Sequence, residues 1–209
     1  KKKYYAPLID TVRNSFEKIN KSSVTIAEPY SQIVGNKAFG EVIDFNGSFA
    51  RASLKRKLLL YFKKENYIGK LGYESLWLRI LKLVKPKIVI GINPPASLCF
   101  ICHKLGIKVY DLQHGVISDT HLWYGAEFRQ SLPSNILPTG FLCWNEVSKK
   151  ILEKWTKRKN IHVLNIGHPW LNRFLIEKDH DELVKNSKEK YLNDNKSKLK
   201  TILITLTWG

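Results

Sequence analysis

The sequence predicts an α/β protein built on a Rossmann-like, doubly wound parallel sheet. Short runs rich in Val, Ile and Leu alternate along the chain with longer segments whose apolar residues recur at helical spacing. The run KIVIGIN is apolar at nearly every position, which is typical of a strand buried on both faces. Because strands that alternate with helices in this way pair in parallel, we expect the helices to cover both faces of the sheet.

Each element follows from one of these two patterns. The first helix is predicted from Pro7 to Asn20, where Leu8, Val12 and Phe16 recur at intervals of four residues. The predicted strands lie in SVTIAEP, GEVIDFN, KIVIGIN, IKVYDLQHG, FLCW and IHVLNIG. The remaining predicted helices are Ala52–Glu65, Tyr73–Val84, Ala96–Gly106 and Glu146–Lys159, followed by a polar helical stretch.

The two ends of the chain suggest how its domains are arranged. The chain opens on a helix, whereas a doubly wound domain usually opens on a strand. It closes on TILITLTWG, which has the pattern of a strand. We therefore expect an acceptor-side domain at 1–176 without its front strand, a polar linker or surface helix at 177–199, and the first strand of a truncated second domain at 200–209. That last strand should lie outside the main sheet.

The composition limits the classes of function. With 44% hydrophobic and 25% charged residues, the chain has the balance of a globular protein. Its formal net charge of +17 indicates affinity for polyanions such as nucleic acid, anionic lipid, or phosphorylated and acidic-sugar substrates. No apolar run approaches the ~18 residues that cross a bilayer, and we expect no secretory leader. Three cysteines in apolar surroundings fit reduced core thiols in the cytoplasm.

The strand VYDLQHG ends in residues that can carry chemistry. In an open α/β sheet the ligand crevice lies beyond the carboxyl ends of the strands, which here places Gln113, His114 and Gly115 beside it. Histidine can take or give a proton near neutral pH, and glycine permits a tight turn or a close approach of ligand. The alternative is a histidine that only satisfies backbone groups. The functional interpretation is favoured because the loop that follows carries Asp119, His121, Trp123 and Tyr124.

Two further strand ends have a similar composition. Asn93 and Ser97 flank a Pro-Pro pair that leads into a helix, whose first N–H groups are available to an anion or a sugar hydroxyl. A capped turn explains the same residues equally well. Gly167 and His168 follow the strand IHVLN in the segment IGHPWLNRF.

The segment Cys99-Phe100-Ile101-Cys102-His103 matches the pattern for covalent haem attachment. It lies inside a predicted apolar helix between two strands, so core packing is the better interpretation. No second Cys/His pair stands at the spacing of metal ligands, and we expect neither a metal site nor a cofactor.

Basic clusters occur at Lys55-Arg56-Lys57, Lys63-Lys64 and Lys154–Lys159. Such clusters can follow a nucleic-acid backbone, although a solvated helix face is their usual explanation. The segment RASLKRKLLLYFKK also carries Leu54, Leu58, Tyr61 and Phe62, a pattern typical of a helix lying on an anionic membrane. Apolar residues that face the core would produce the same stripe.

Taken together, these segments resemble bacterial GT-B glycosyltransferases of surface-polysaccharide assembly, which include capsule, lipopolysaccharide and teichoic-acid-type transferases. The resemblance spans nearly the whole chain and rests on YYAPLID, the strand ending in QHG, LPTGFLCWNE, IGHPWLNRF and ILITLTWG. It implies two Rossmann-like domains, the acceptor mostly on the first and the nucleotide-sugar donor mostly on the second. The chain alone is then expected to be inactive.

The resemblance also implies roles for the residues above. His114 would act as the base or orient the acceptor, with Asp119 and His121 in support. Asn93, Gln113 and Gly115 would bind substrate, and Trp123 and Tyr124 would stack on a sugar. The donor phosphates would be bordered by Gly167, His168, Thr207 and Gly209.

The implied partners are a nucleotide-sugar donor, a glycan or lipid-linked acceptor, and the anionic inner face of the bacterial cytoplasmic membrane, with no specific nucleic acid. Two other classes remain open. A non-hydrolysing nucleotide-sugar 2-epimerase has the same two-domain architecture and works without an acceptor. A basic nucleic-acid-binding protein would show affinity for oligonucleotides that falls steeply with salt.

Overall fold

A computed structural model of the chain confirms the α/β class, and it describes residues 7–27, 42–63, 73–175 and 181–194. The described strands are β1 Thr25–Ala27, β2 Val42–Asp44, β3 Ile88–Gly91, β4 Lys108–Leu112, β5 Gly140–Cys143 and β6 His162–Asn165. The described helices are α1 Pro7–Lys18, α2 Asn46–Lys63, α3 Glu74–Val84, α4 Ala96–Lys104, α5 Ala126–Arg129, α6 Glu146–Thr156, α7 Pro169–Leu175 and α8 Glu182–Asp194. Every predicted element that falls on these residues is present.

The main sheet contains β3, β4, β5 and β6 in that order, and all three pairs of neighbours are parallel. The carboxyl ends of the four strands therefore lie along one edge, as in a Rossmann-like fold. The strand order follows the chain order, so this sheet is wound in one direction. The reversal of strand order that defines a doubly wound sheet is not found among the described residues. β1 and β2 form a separate parallel pair.

Two hydrophobic clusters cover one face of the main sheet. The first packs α2, α3 and α4 against Val109 of β4, and the second packs α6 against Phe141 of β5. Asp111 pairs in register with Phe141, and directly paired residues share a face of the sheet. The side chain of Asp111 is therefore on the face that these two clusters cover, between Val109 and Phe141.

Helix α2 begins six residues earlier than the predicted start at Ala52. The reason is tertiary packing, because Phe49 is buried against α3, with its ring 5.3 Å from that of Trp77 and 6.0 Å from that of Tyr73. This contact stabilises a first turn that contains Gly47, a residue with low helix propensity.

By its internal contacts the chain divides into two compact units, one ending at Pro169 and the other beginning at Trp170. In the second unit, Arg173 binds the carboxylate of Asp181 through two hydrogen bonds of 2.6 and 2.8 Å. The same carboxylate caps the first turn of α8 by accepting from the backbone N–H groups of Leu183 and Val184. The polar segment predicted at 177–199 thus contains a helix, while the predicted strand at 200–209 lies outside the described residues.

None of the described helices combines the length and the apolar composition needed to cross a bilayer.

Candidate functional site

The loops that follow β3, β4 and β6 place Asn93, His114 and His168 at the carboxyl edge of the main sheet. This follows from the parallel pairing, and it is the edge at which open α/β sheets bind ligands. The segment after β4 runs from Gln113 to Gly125 and carries most of the residues proposed from the sequence.

Asn93 connects the ends of β3 and β4. Its φ of +48° is in the left-handed region, which asparagine tolerates better than most residues. In this conformation its backbone N–H donates to Oδ1 of Asp111 over 2.9 Å, while its side-chain oxygen accepts a 2.9 Å hydrogen bond from Arg129. A carboxyl group, an amide and a guanidinium group are thereby held together at the edge of the sheet.

Asp111 is an aspartate in an unusual environment. It is 1% exposed, and its second oxygen, Oδ2, accepts no hydrogen bond from the described residues. Burial raises the pKa of its carboxyl from 3.8 to about 7, although the N–H of Asn93 and the charge of Arg129 act in the opposite direction. Its proton equilibrium therefore falls in the physiological range, where a small change in surroundings changes its charge.

The raised pKa predicts a pH-dependent cost to stability. The folded chain holds a proton on Asp111 that the unfolded chain releases near pH 4, so stability falls as the pH rises from about 4 to about 7 and then levels off. At ~1.4 kcal/mol per pKa unit, the total is on the order of 4 kcal/mol. Asp111→Asn keeps an oxygen for the N–H of Asn93 and removes the titration. We expect the stability gained by this variant over the wild type to increase between pH 5 and pH 8.

Urea unfolding of the wild type and the Asp111→Asn variant between pH 5 and pH 8 measures the difference in their free energies of unfolding. The contributions of other titrating groups cancel in this difference. A constant offset between the two stability curves would mean that Asp111 is ionised throughout the range and would contradict the assignment.

His114 is held by Tyr124, whose hydroxyl lies 2.7 Å from Nδ1 of the imidazole. The same hydroxyl oxygen accepts a 3.3 Å hydrogen bond from the backbone N–H of His114. Burial and the neighbouring His121 lower the pKa of His114 below its ordinary 6.5, with the Leu112 carbonyl opposing them. The ring is therefore uncharged at neutral pH.

These contacts favour one proton arrangement. Tyr124 is fully buried, and its hydroxyl carries a single proton. If the hydroxyl oxygen accepted from both the backbone N–H and Nδ1 of His114, that proton would have no hydrogen-bond partner. The arrangement that uses this proton has the hydroxyl donating to Nδ1. In this arrangement the uncharged imidazole carries its own proton on Nε2.

Aromatic rings surround His114. The ring of Trp123, an exposed side chain, lies 5.4 Å from the imidazole, and the ring of His121 lies 5.0 Å from that of Tyr124. His121 also fixes the loop, because its Nδ1 accepts a 3.1 Å hydrogen bond from the backbone N–H of Trp123. The structure thus brings together His114, His121, Trp123 and Tyr124.

Asp119 is paired with a residue outside this group. Its carboxylate forms hydrogen bonds of 2.8 and 2.7 Å with the amino group of Lys154, and both side chains are more than half exposed. An exposed pair of this kind contributes at most about 1 kcal/mol to stability. The described contacts therefore tie Asp119 to α6, without a hydrogen bond to His114 or His121.

Gln113 is buried, and its amide joins three parts of the fold. Its nitrogen donates to the carbonyl of Gly115 and to the hydroxyl of Ser148, and its oxygen accepts from the backbone N–H of Trp144. These bonds link the end of β4 to β5 and α6. Gly115 itself has open space where a Cβ would stand.

The residues after β6 form a neighbouring group. Gly167 has a φ of +74°, and its N–H donates to the side chain of Asn165. The ring of His168 lies 4.1 Å from that of Trp144, and burial lowers its pKa. The two other residues proposed to border the donor, Thr207 and Gly209, lie outside the described residues.

The cysteines are confirmed as core residues, because Cys99, Cys102 and Cys143 are buried and unpaired. Burial raises the pKa of all three thiols, which keeps them protonated. Within the described part of the chain, no group of three His, Cys, Asp or Glu side chains is arranged to hold a metal ion.

Sequence reasoning did not single out Asp111 and Arg129. A carboxylate inside an otherwise apolar strand is a signal that could have identified Asp111, since aspartate is rarely buried without a partner. Arg129 belongs to a four-residue helix with no comparable pattern.

Comparison with known proteins adds no family to this picture, since no family model, curated protein or solved structure matches the chain.

Proposed function

We propose that the chain forms the acceptor-side domain of a GT-B glycosyltransferase. Such an enzyme would transfer a sugar, or a sugar-like group, from a nucleotide-activated donor to a hydroxyl of a bacterial surface polysaccharide or its lipid-linked precursor. The observation that carries the proposal is His114, an uncharged imidazole fixed by Tyr124 at the carboxyl edge of a parallel sheet and flanked by the exposed ring of Trp123.

These residues suit a sugar hydroxyl. Aromatic side chains offer a flat apolar surface to the C–H groups of a sugar ring, and a fixed donor can hold one hydroxyl oxygen. In this proposal Nε2–H of His114 orients the acceptor oxygen, and Trp123 packs against the ring that bears it. Of the two roles considered for His114, the arrangement in which the Tyr124 hydroxyl, 2.7 Å from Nδ1, acts as the donor favours orientation over proton removal.

Asp111 acts from behind this surface as a positioning residue. It holds Asn93 through the backbone N–H, and Asn93 in turn receives Arg129. Burial, and after it the nearby carboxyl of Asp111 when ionised, raises the pKa of the Tyr124 phenol, which keeps the proton on the hydroxyl that donates to His114.

The reaction replaces the bond between the anomeric carbon and a phosphate oxygen by a bond to the acceptor oxygen. The acceptor hydroxyl releases its proton to solvent, and the nucleotide leaves with the bonding electron pair. Hydrogen-bond donors or positive groups are needed to stabilise the negative charge of the departing phosphate. We assign that part of the crevice to the ends of β5 and β6, where Gly167 and His168 stand near Trp144.

The test is acceptor-dependent transfer by the complete protein. Radiolabelled nucleotide sugars are incubated with the protein, with and without membranes of the source organism, and label is counted in lipid and polymer fractions. We expect incorporation from at least one donor, and only when membranes are present. Conversion of the free nucleotide sugar to its 2-epimer without membranes would favour the epimerase instead, and neither outcome from any donor would contradict the proposal.

A further inference from the structure

Helix α2 has a buried side and an outer side. Phe49 and Ala52 are buried in the first hydrophobic cluster, and Arg56, one turn further along, lies over the ring of Tyr73 at 5.9 Å. These three residues recur at intervals of three and four, so they share one side of the helix. That side accounts for the attachment of α2 to the rest of its unit.

The opposite side of α2 carries large apolar residues with a high exposed fraction. Leu54, Leu58 and Tyr61 are 60%, 50% and 81% exposed. They too are spaced by four and three residues, which aligns them in a strip. The sequence left open whether the stripe of Leu54, Leu58, Tyr61 and Phe62 faces the core. The exposed fractions show that the first three do not, and the side chain of Phe62 lies outside what the structure describes.

Cations flank the strip on both sides. At 3.6 residues per turn, Arg51 and Lys55 lie along one side of it and Lys57 along the other, and all three are exposed. Helix α2 contains no Asp or Glu. We call Arg51, Leu54, Lys55, Lys57, Leu58 and Tyr61 the outer face of α2.

We propose that the outer face of α2 docks the protein on an anionic phospholipid membrane. Such a membrane can bind both the apolar and the cationic side chains of this face. Leucine and tyrosine side chains enter the boundary between headgroups and acyl chains, and lysine and arginine pair with the headgroups. A nucleic-acid backbone would bind the cations but leave the leucines in water. A second copy of the same face would bring like charges together. The inference does not depend on the transfer reaction.

Vesicle sedimentation of the complete protein tests the proposal. We compare phosphatidylcholine vesicles with vesicles that also contain phosphatidylglycerol, and expect binding mainly to the second kind, released by salt. Each cation near an anionic surface strengthens binding about fivefold. The Arg51→Gln/Lys55→Gln/Lys57→Gln variant should therefore bind on the order of 100-fold more weakly, and Leu54→Ser/Leu58→Ser about tenfold more weakly.

Two matched control variants test whether membrane binding depends on this face or only on the total charge and the total exposed apolar surface of the protein. Lys104→Gln/Lys108→Gln/Lys188→Gln removes the same charge from exposed sites elsewhere, and Val147→Ser/Leu192→Ser removes exposed apolar side chains elsewhere. Both should bind nearly as the wild type does. Equal weakening by the controls, equal binding of the wild type to neutral vesicles, or no binding at all would overturn the proposal. So would a dimer, seen by sedimentation velocity, that the Leu54→Ser/Leu58→Ser variant dissociates.

Discussion

Replacing Gly125 by alanine is expected to destabilise the protein by about 3 kcal/mol, at the upper end of the usual cost of overpacking. A Cβ at this position would overlap the carbonyl oxygen of Asp119 and lie 2.8 Å from that of His121. Both obstacles are backbone atoms, so no side-chain rotation relieves the clash. The loop that carries His121, Trp123 and Tyr124 would have to shift its backbone.

Gly115→Ala is the matched control, because the same methyl group meets nothing within 4 Å there. The φ of Gly115 is not in the left-handed region, so we expect the free energy of unfolding of this variant to differ from that of the wild type by no more than about 0.5 kcal/mol. Urea unfolding of the two variants and the wild type gives both values. Equal stability of the two alanine variants would show that the loop adapts freely and that its position is not fixed by Gly125.

Replacing His114 by alanine is expected to lower the rate of transfer by the complete protein about 100-fold, the size of loss expected when the reacting hydroxyl is no longer held in position. The KM for the nucleotide sugar should change little, since the donor is assigned mostly to the other domain. His114→Gln retains an N–H donor on the side chain. If His114 orients the acceptor, the glutamine variant should lose clearly less activity than the alanine variant.

Equal loss in the two variants would instead assign proton removal to His114, and would show that Tyr124 turns its hydroxyl proton away from Nδ1. Asp119→Asn serves as a control outside the group, because its carboxylate pairs with Lys154. That variant should retain near wild-type activity. Full activity of His114→Ala would make the Gln-His-Gly segment purely structural.

The sequence predicted where the strands end, because apolar runs such as KIVIGIN mark strands that pair in parallel, and parallel pairing brings their ends to one edge. It could not predict where the side chains point beyond those ends. Asp119 stands five residues from His114 in sequence, yet it pairs with Lys154 on α6, a partner 35 residues away. Only tertiary packing decides such a partner.

The same limit applies to the start of α2 and to its outer face. Asn46-Gly47 is a local turn signal, and the contact of Phe49 with Trp77 overrides it. Leu54 and Leu58 have the spacing of core residues, and only the fold shows that this side of the helix is exposed. Periodicity identifies a helix face but not what covers it.

In the proposed function, the surface formed by His114 and Trp123 binds the sugar acceptor. A structure of the complete protein with the glycan or lipid-linked product of the incorporation reaction would show this binding. We expect a hydroxyl oxygen of the glycan within hydrogen-bond distance of Nε2 of His114, with a sugar ring against the indole of Trp123. A product bound elsewhere, without contact to His114, would rule out this role for the surface.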